Sequence, residues 1–349
     1  MSPTAVPSLH HFEPDDLLLR RVRRGRGFSY HDQRDARVDD PDTLARIRAL
    51  AIPPAWVDVR VSDRADSHLQ AVGRDARGRM QYRYHQDWRA FRDRVKFDRL
   101  TVFGETLPAV RTRIARDLTL KGMPRDKVIA TIVALLQTTL IRVGNEEYAR
   151  TNGAYGLTTF RNRHAKISGS EIEFVFVGKS GLHHDVHVRD ARVARVLRRC
   201  QEIPGQRLFQ YVDPDDGVMP VYSNDVNDYL RDASGVDVTA KDFRTWVATV
   251  TAAAALGPLD PPESETEAKK VINDVVREVA LELGNTPAVS RASYIHPKVL
   301  TDFASGALRD EWSTAAPRRS GLTLEERHTM LVLDPSRRRR ARRPRAAAA

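Results

Sequence analysis

In RDKVIATIVALLQTTLIRVGNEEYA (125–149), apolar residues fall at Val128, Ile129, Ile132, Val133, Leu136 and Leu140. This three- and four-residue spacing marks one face of a helix, and Pro124 suits its start. A second stripe, Val271, Ile272, Val275, Val276, Val279 and Leu283, follows Ser264 and Glu267 at the spacing of a capping box, and Gly284 stops it. DWRAFRDRVKFDRL (87–100) and DFRTWVATVTAAAALG (242–257) read as further helices, with Thr286 and Pro287 as the cap and first position of a short one. Elsewhere the period is two. AWVDVRV (55–61), SHLQAVG (67–73) and MQYRYH (80–85) predict strands, the last two joined by a turn at RDARGR (74–79). SEIEFVFVG (170–178) alternates, GKSG (178–181) turns, and HHDVHVRD (183–190) returns as a hairpin.

Residues 1 to about 26 show neither period and read as loosely ordered. SRRRRARRPRAAAA (336–349) cannot bury a core and reads as a disordered basic tail. The predicted fold class is α+β. A small antiparallel β-rich N-terminal domain spans 1–92, and a larger, mainly α-helical domain with one β-hairpin spans 93–335. No internal repeat is evident.

Composition narrows the function. A 349-residue chain that is 41% hydrophobic and 30% charged suits a soluble protein with a real core. The longest apolar run, 128–141, is too short and polar to span a bilayer, and no secretory signal opens the chain, so no membrane partner is expected. A single cysteine, Cys200, permits no internal disulfide and suits a reducing, cytoplasmic setting. The formal charge of +11 points to a polyanionic partner, most commonly nucleic acid. Only nine of the 57 basic residues are lysines, which draws attention to a lysine at a structured turn. Arginine is the better fork for phosphate oxygens, whereas lysine can surrender a proton when desolvated.

Five polar residues then stand out. Arg142 ends the strongly apolar helix, Lys179 sits at the hairpin tip, and Arg244 lies near a helix start. Asn285 follows Gly284, and Tyr294 lies in SRASYIHP. Each has an ordinary account: dipole-favoured arginine, solvated turn lysine, capping asparagine, half-buried tyrosine. Together, in this order and with these flanks, they resemble a family. IRVGNEEYARTNGAYGLTTFRNRH (141–164), FVFVGKSG, KDFRTWVAT and SRASYIHP are similar to the signature blocks of the type IB DNA topoisomerases, nearest the compact bacterial and poxviral branch. GRDARGRMQYRYH (73–85) resembles that branch's DNA-gripping β domain, and the likeness runs from about residue 26 to about 310.

The resemblance implies the catalytic core shared by tyrosine recombinases and type IB topoisomerases, and an enzyme that relaxes supercoiled double-stranded DNA. Tyr294 would attack a phosphodiester and become joined to the 3′ phosphate, releasing a 5′ hydroxyl; the reverse attack reseals the strand. One phosphodiester replaces another, so no ATP, metal or other cofactor is implied. By the same resemblance Arg142 and Arg244 clamp the phosphate, and Lys179 is the general acid toward the 5′ oxygen. Asn285 stands where many members have histidine; it can donate to a phosphate oxygen but carries no charge. Gln81, Tyr82 and Tyr84 match residues touching the major groove, and Tyr148 and Lys241 match supporting DNA contacts. The implied enzyme is a nucleoid-associated monomer that clamps around DNA.

Rival readings make different demands. A tyrosine recombinase usually has His-x-x-Arg at the second arginine block, where this chain has Lys241 and Arg244. A non-catalytic DNA-binding protein gives no reason for the five positions to coincide. A metal nuclease, suggested by HHDVH (183–187), meets strand alternation, which sets His183 and His187 opposite His184 and predicts no three-ligand face.

Overall fold

The structure is a computed structural model and describes residues 8–76, 78–334 and 336. Apart from Ser336, the tail at 336–349 lies outside the described residues. The chain divides into two compact units between Asp98 and Arg99. The first contains β1 (Leu19–Arg24), β2 (Gly27–His31), α1 (Pro41–Ala49), β3 (Val57–Val61), β4 (Leu69–Arg74), β5 (Met80–Tyr84) and α2 (Gln86–Asp98). Its five strands form one antiparallel sheet in the order β2-β1-β3-β4-β5. One face packs Leu19, Val59, Val61 and Ala71 against Ile47 of α1, and a smaller cluster joins Leu17, Leu69 and Val72. The strands expected at 55–61, 67–73 and 80–85 are present within a residue or two.

The loosely ordered start is a correction, because LRRVRR (19–24) is a full strand paired on both edges. The run of arginines conceals it, yet the backbone stays extended while Arg20 pairs with Asp35. Arg21 sits over the Phe28 ring at 4.1 Å and donates to the carbonyls of Pro53 and Trp56. Long basic side chains cover apolar surface with their stems, so they do not break a strand. The helix read over 87–100 is likewise two helices, and the units part between them rather than near residue 92.

The second unit runs α3 (Leu100–Asp117), α4 (Arg125–Thr139), α5 (Glu146–Asn152), β6 (Ala165–Ser168), β7 (Glu171–Val177) and β8 (His183–Arg189). It continues through α6 (Ala191–Glu202), β9 (Gln210–Asp213), β10 (Gly217–Pro220), α7 (Ser223–Ser234), α8 (Ala240–Leu256) and α9 (Glu265–Leu283). Last come α10 (Pro287–Ser293), α11 (Pro297–Ala304), α12 (Ala307–Ser313) and α13 (Leu324–Leu333). Helices α3, α4, α7 and α8 enclose the larger core, and Ala248, Ala252 and Leu256 of α8 face α9 and α11 in the other. The expected hairpin is β7 and β8, but β6 extends it to three strands and β9 with β10 makes a second pair. Ser264 caps α9 by accepting from the Glu267 amide, and Gly284 closes it with φ at +58°, as the sequence predicts.

The single helix expected over 125–149 is not one helix. It stops at Thr139, Leu140 takes a left-handed conformation, and α5 restarts behind Asn145, whose side chain accepts from the Tyr148 amide. No glycine or proline signals the stop. The Leu140 carbonyl is captured by Arg244 of α8, so the end of this helix is a tertiary event. Arg142 therefore lies on an irregular segment and not at a helix terminus.

Candidate active site

Backbone contacts within the second unit place the candidate residues. The carbonyls of Arg142 and Val143 accept from the amides of Leu157 and Thr158, which pins the segment after α4 to the loop after α5. Thr239 opens α8, its amide donating to Asp242, and one turn further on Arg244 points inward and is buried. Gly284 turns the chain so that the Asn285 amide bonds back to the Ala280 carbonyl. Tyr294 closes α10, whose cap at Thr286 and first residue Pro287 match the sequence reading. Its carbonyl accepts from the Thr249 hydroxyl of α8 at 3.2 Å, and the next residue, Ile295, is fully buried. Tyr294 is thus fastened through Thr249 to the helix that carries Arg244.

Arg142, Lys179 and Arg244 line one pocket with Tyr155, Phe176, Gly178, His184 and Leu283. Arg142 donates to Asn285 Oδ1 at 2.7 Å, which turns the amide nitrogen of Asn285 the other way. Arg244 donates to the carbonyls of Leu140 and Leu283, and its guanidinium carbon lies 5.3 Å from the centre of the Tyr294 ring. Among the described residues, Arg244 Nε and Asn285 Nδ2 belong to a small set of buried side-chain polar atoms without a hydrogen-bond partner, and they are the two in this site. Buried donors are rarely left so, since each costs about 1–3 kcal/mol unless something accepts from it. Lys179 is exposed at the hairpin tip, in a tight turn where Ser180 and Gly181 have positive φ.

The electrostatics favour an anion. Burial, followed by the charge of Arg142, lowers the Arg244 pKa to about 10, which leaves it charged at neutral pH. Burial also lowers Arg142, and among the described residues no carboxylate contributes to the shift of either guanidinium, although Glu282 lines the same pocket. Burial alone would raise the Tyr294 phenol. The charge and hydrogen bond of Arg244, with Arg142 and Lys241, outweigh it and hold the phenol below its ordinary value. Two desolvated cations, two unmet donors and an acidified phenol are what attack on a phosphodiester requires: charge stabilisation beside a nucleophile.

Four predicted residues gather here with Lys179 on the rim. Lys241 is exposed on the first turn of α8, close enough for its charge to act on Tyr294. Tyr148 is exposed on α5. In the first unit Tyr82 and Tyr84 share one exposed face of β5, with ring centres 6.1 Å apart, whereas Gln81 alternates to the other face and donates to Asp75 at 3.0 Å. Sequence reasoning missed His184 and Tyr155 in the pocket. The alternation of β8 does set His184 apart from His183 and His187, but nothing local says that its face is the pocket. The expectation of no three-ligand face also needs correction. Glu173 on β7 pairs across the ladder with His187, and with Asp185 the three offer ligand atoms within 4.8 Å of one another on the exposed face of the hairpin. The strand's own pattern could not include a carboxylate from its neighbour.

Residues 85–315 match the family described as "Eukaryotic DNA topoisomerase I, catalytic core", and residues 27–75 match "Bacterial DNA topoisomerase IB, N-terminal domain". The chain is 34% identical over 284 residues to the DNA topoisomerase 1B of Acanthamoeba polyphaga mimivirus, covering 79% of this chain and 84% of that one. It is 25% identical over 280 residues to the DNA topoisomerase 1B of vaccinia virus strain Copenhagen, covering 75% and 82%. Against the DNA topoisomerase 1 of Mycosarcoma maydis the likeness is 26% over 177 residues, covering 46% of this chain and 17% of that one.

Proposed function

This chain belongs to the type IB DNA topoisomerases, and from that premise we propose that the pocket around Arg244 breaks and reseals one strand of supercoiled duplex DNA. The Tyr294 oxygen attacks the phosphorus, losing its proton to water, and the bond from phosphorus to the 5′ oxygen breaks. Lys179 supplies the proton to that oxygen, leaving a 3′-phosphotyrosyl link and a 5′ hydroxyl. The free end swivels, then the 5′ hydroxyl returns the phosphate to DNA and the phenol to Tyr294. Bond count is conserved through the cycle, so relaxation needs neither ATP nor a metal.

Arg142, Arg244 and Asn285 contact the non-bridging oxygens, where charge grows as the fifth bond forms. The observation that carries this reading is the pair of unmet buried donors, Arg244 Nε and Asn285 Nδ2, beside a phenol held below its ordinary pKa. A phosphate satisfies both. Tyr82, Tyr84, Tyr148 and Lys241 are exposed and serve as DNA contacts, and Gln81 joins them by exchanging Asp75 for a base edge. The working form is a cytoplasmic monomer that clamps duplex DNA, and its binding weakens steeply with salt.

The test is relaxation of supercoiled plasmid in chelator without ATP, with denaturant quenching to trap the protein–DNA adduct. Peptide mapping should place the adduct on Tyr294, and Tyr294→Phe should bind DNA yet form none. An adduct on another residue, or an active phenylalanine variant, would refute the assignment.

A further inference from the structure

His184 enters β8 opposite Phe176 of β7, and the two rings stack with centroids 4.9 Å apart and planes 14° from parallel. Its imidazole edge is then wedged between two glycines. A methyl group built on Gly178 would meet Cδ2 and Nε2 of the ring at 2.6 Å, and one built on Gly284 would meet Cε1 at 2.8 Å. Gly178 directly precedes Lys179 and Gly284 directly precedes Asn285. The ring therefore fills the space between the hairpin tip and the end of α9 at the two points from which proposed reacting groups project. Neither glycine tolerates a side chain there, so ring and glycines specify one another.

We infer that His184 is a positioning residue that sets the hairpin tip, and with it Lys179, in register with the Asn285 side of the pocket. The inference rests on the proposed role of Lys179 as the acid for the 5′ oxygen. Burial and the charges of Arg142 and Arg244 lower the His184 pKa, which favours the neutral ring and suits packing rather than proton transfer. Misplacing a catalytic group by about 1 Å can cost about 100-fold in rate, so a wedge of this kind matters without touching DNA.

The experiment compares single-turnover cleavage of ordinary DNA with cleavage of DNA whose scissile 5′ bridging oxygen is replaced by sulfur. A thiolate leaves without a proton, so this substrate bypasses the acid. His184→Ala should slow ordinary cleavage by about 100-fold, by the same sensitivity to misplacement, and most of that loss should disappear on the sulfur substrate. His184→Phe, which keeps a flat ring in the wedge, should retain most of the activity. If the alanine variant does not fold, His184→Asn carries the same comparison. Equal losses on both substrates, or no loss on ordinary DNA, would overturn the inference. Lys179→Ala is the control. If sulfur does not rescue it, the acid role fails and the inference falls with it; if sulfur rescues Lys179→Ala and not His184→Ala, only the inference fails.

Discussion

The proposed function gives Asn285 two tasks that substitution can separate. Its Oδ1 accepts from Arg142 at 2.7 Å, while its Nδ2 is buried without a partner and available to phosphate. Asn285→Ala removes both. Asn285→Asp keeps the shape and the acceptor for Arg142, but replaces the donor with a charged oxygen. A hydrogen bond to a charged group contributes about 1.5–3 kcal/mol, so the lost donor predicts cleavage slower by about 10- to 150-fold in the alanine variant. In the aspartate variant, two unit charges about 4 Å apart at an effective dielectric of about 20 repel by about 4 kcal/mol. Arg142 and Arg244 offset part of this, and a further loss of at least about tenfold relative to alanine is expected. Single-turnover cleavage, quenched with denaturant and read as covalent adduct, measures both. If the main task of Asn285 were to orient Arg142, aspartate would be the milder change. Aspartate equal to or faster than alanine would therefore refute donation to the phosphate.

Three further outcomes follow from the same geometry. Arg244→Lys cannot reach both the Leu140 and Leu283 carbonyls, so one buried acceptor loses its partner at a cost of about 1–3 kcal/mol. Cleavage should fall by about 100- to 1,000-fold as an oxyanion donor is lost, and a variant within threefold of the parent, by single-turnover assay, would exclude Arg244 from the chemistry. Because the surrounding cations hold the Tyr294 phenol below its ordinary value of 10, the rise of cleavage rate with pH should level off below pH 10, and Lys241→Ala should move that limb to higher pH. His164 is kept neutral by burial and nearby arginines, with a pKa of about 4, while its Nδ1 accepts from the Arg161 amide. On acidification the unfolded chain takes up this proton near pH 6.5 and the folded chain only near 4, so His164 contributes a loss of stability across that window. Thermal unfolding of His164→Asn should be less sensitive to pH between 6.5 and 4 than that of the parent.

Local chemistry was legible without coordinates. Gly284 stops a helix, Thr286 and Pro287 start the next, and strict alternation delivers Lys179 to the tip of a hairpin, because caps, turns and strand faces depend on residues a few positions apart. The order of the signature blocks was legible too, and it pointed to all five candidate positions. What remained hidden depends on partners far along the chain. The strand within LRRVRR pairs with the next strand and also with Arg60 and Val61, while Arg21 donates to two carbonyls beyond residue 50. The helix before Arg142 ends at a carbonyl, that of Leu140, which is taken by Arg244, 104 residues after Leu140. The wedge of His184 between Gly178 and Gly284, and the meeting of Glu173 with His187, likewise arise only when separate segments pack. Periodicity records which face of an element is buried, and only packing decides which groups that face will meet.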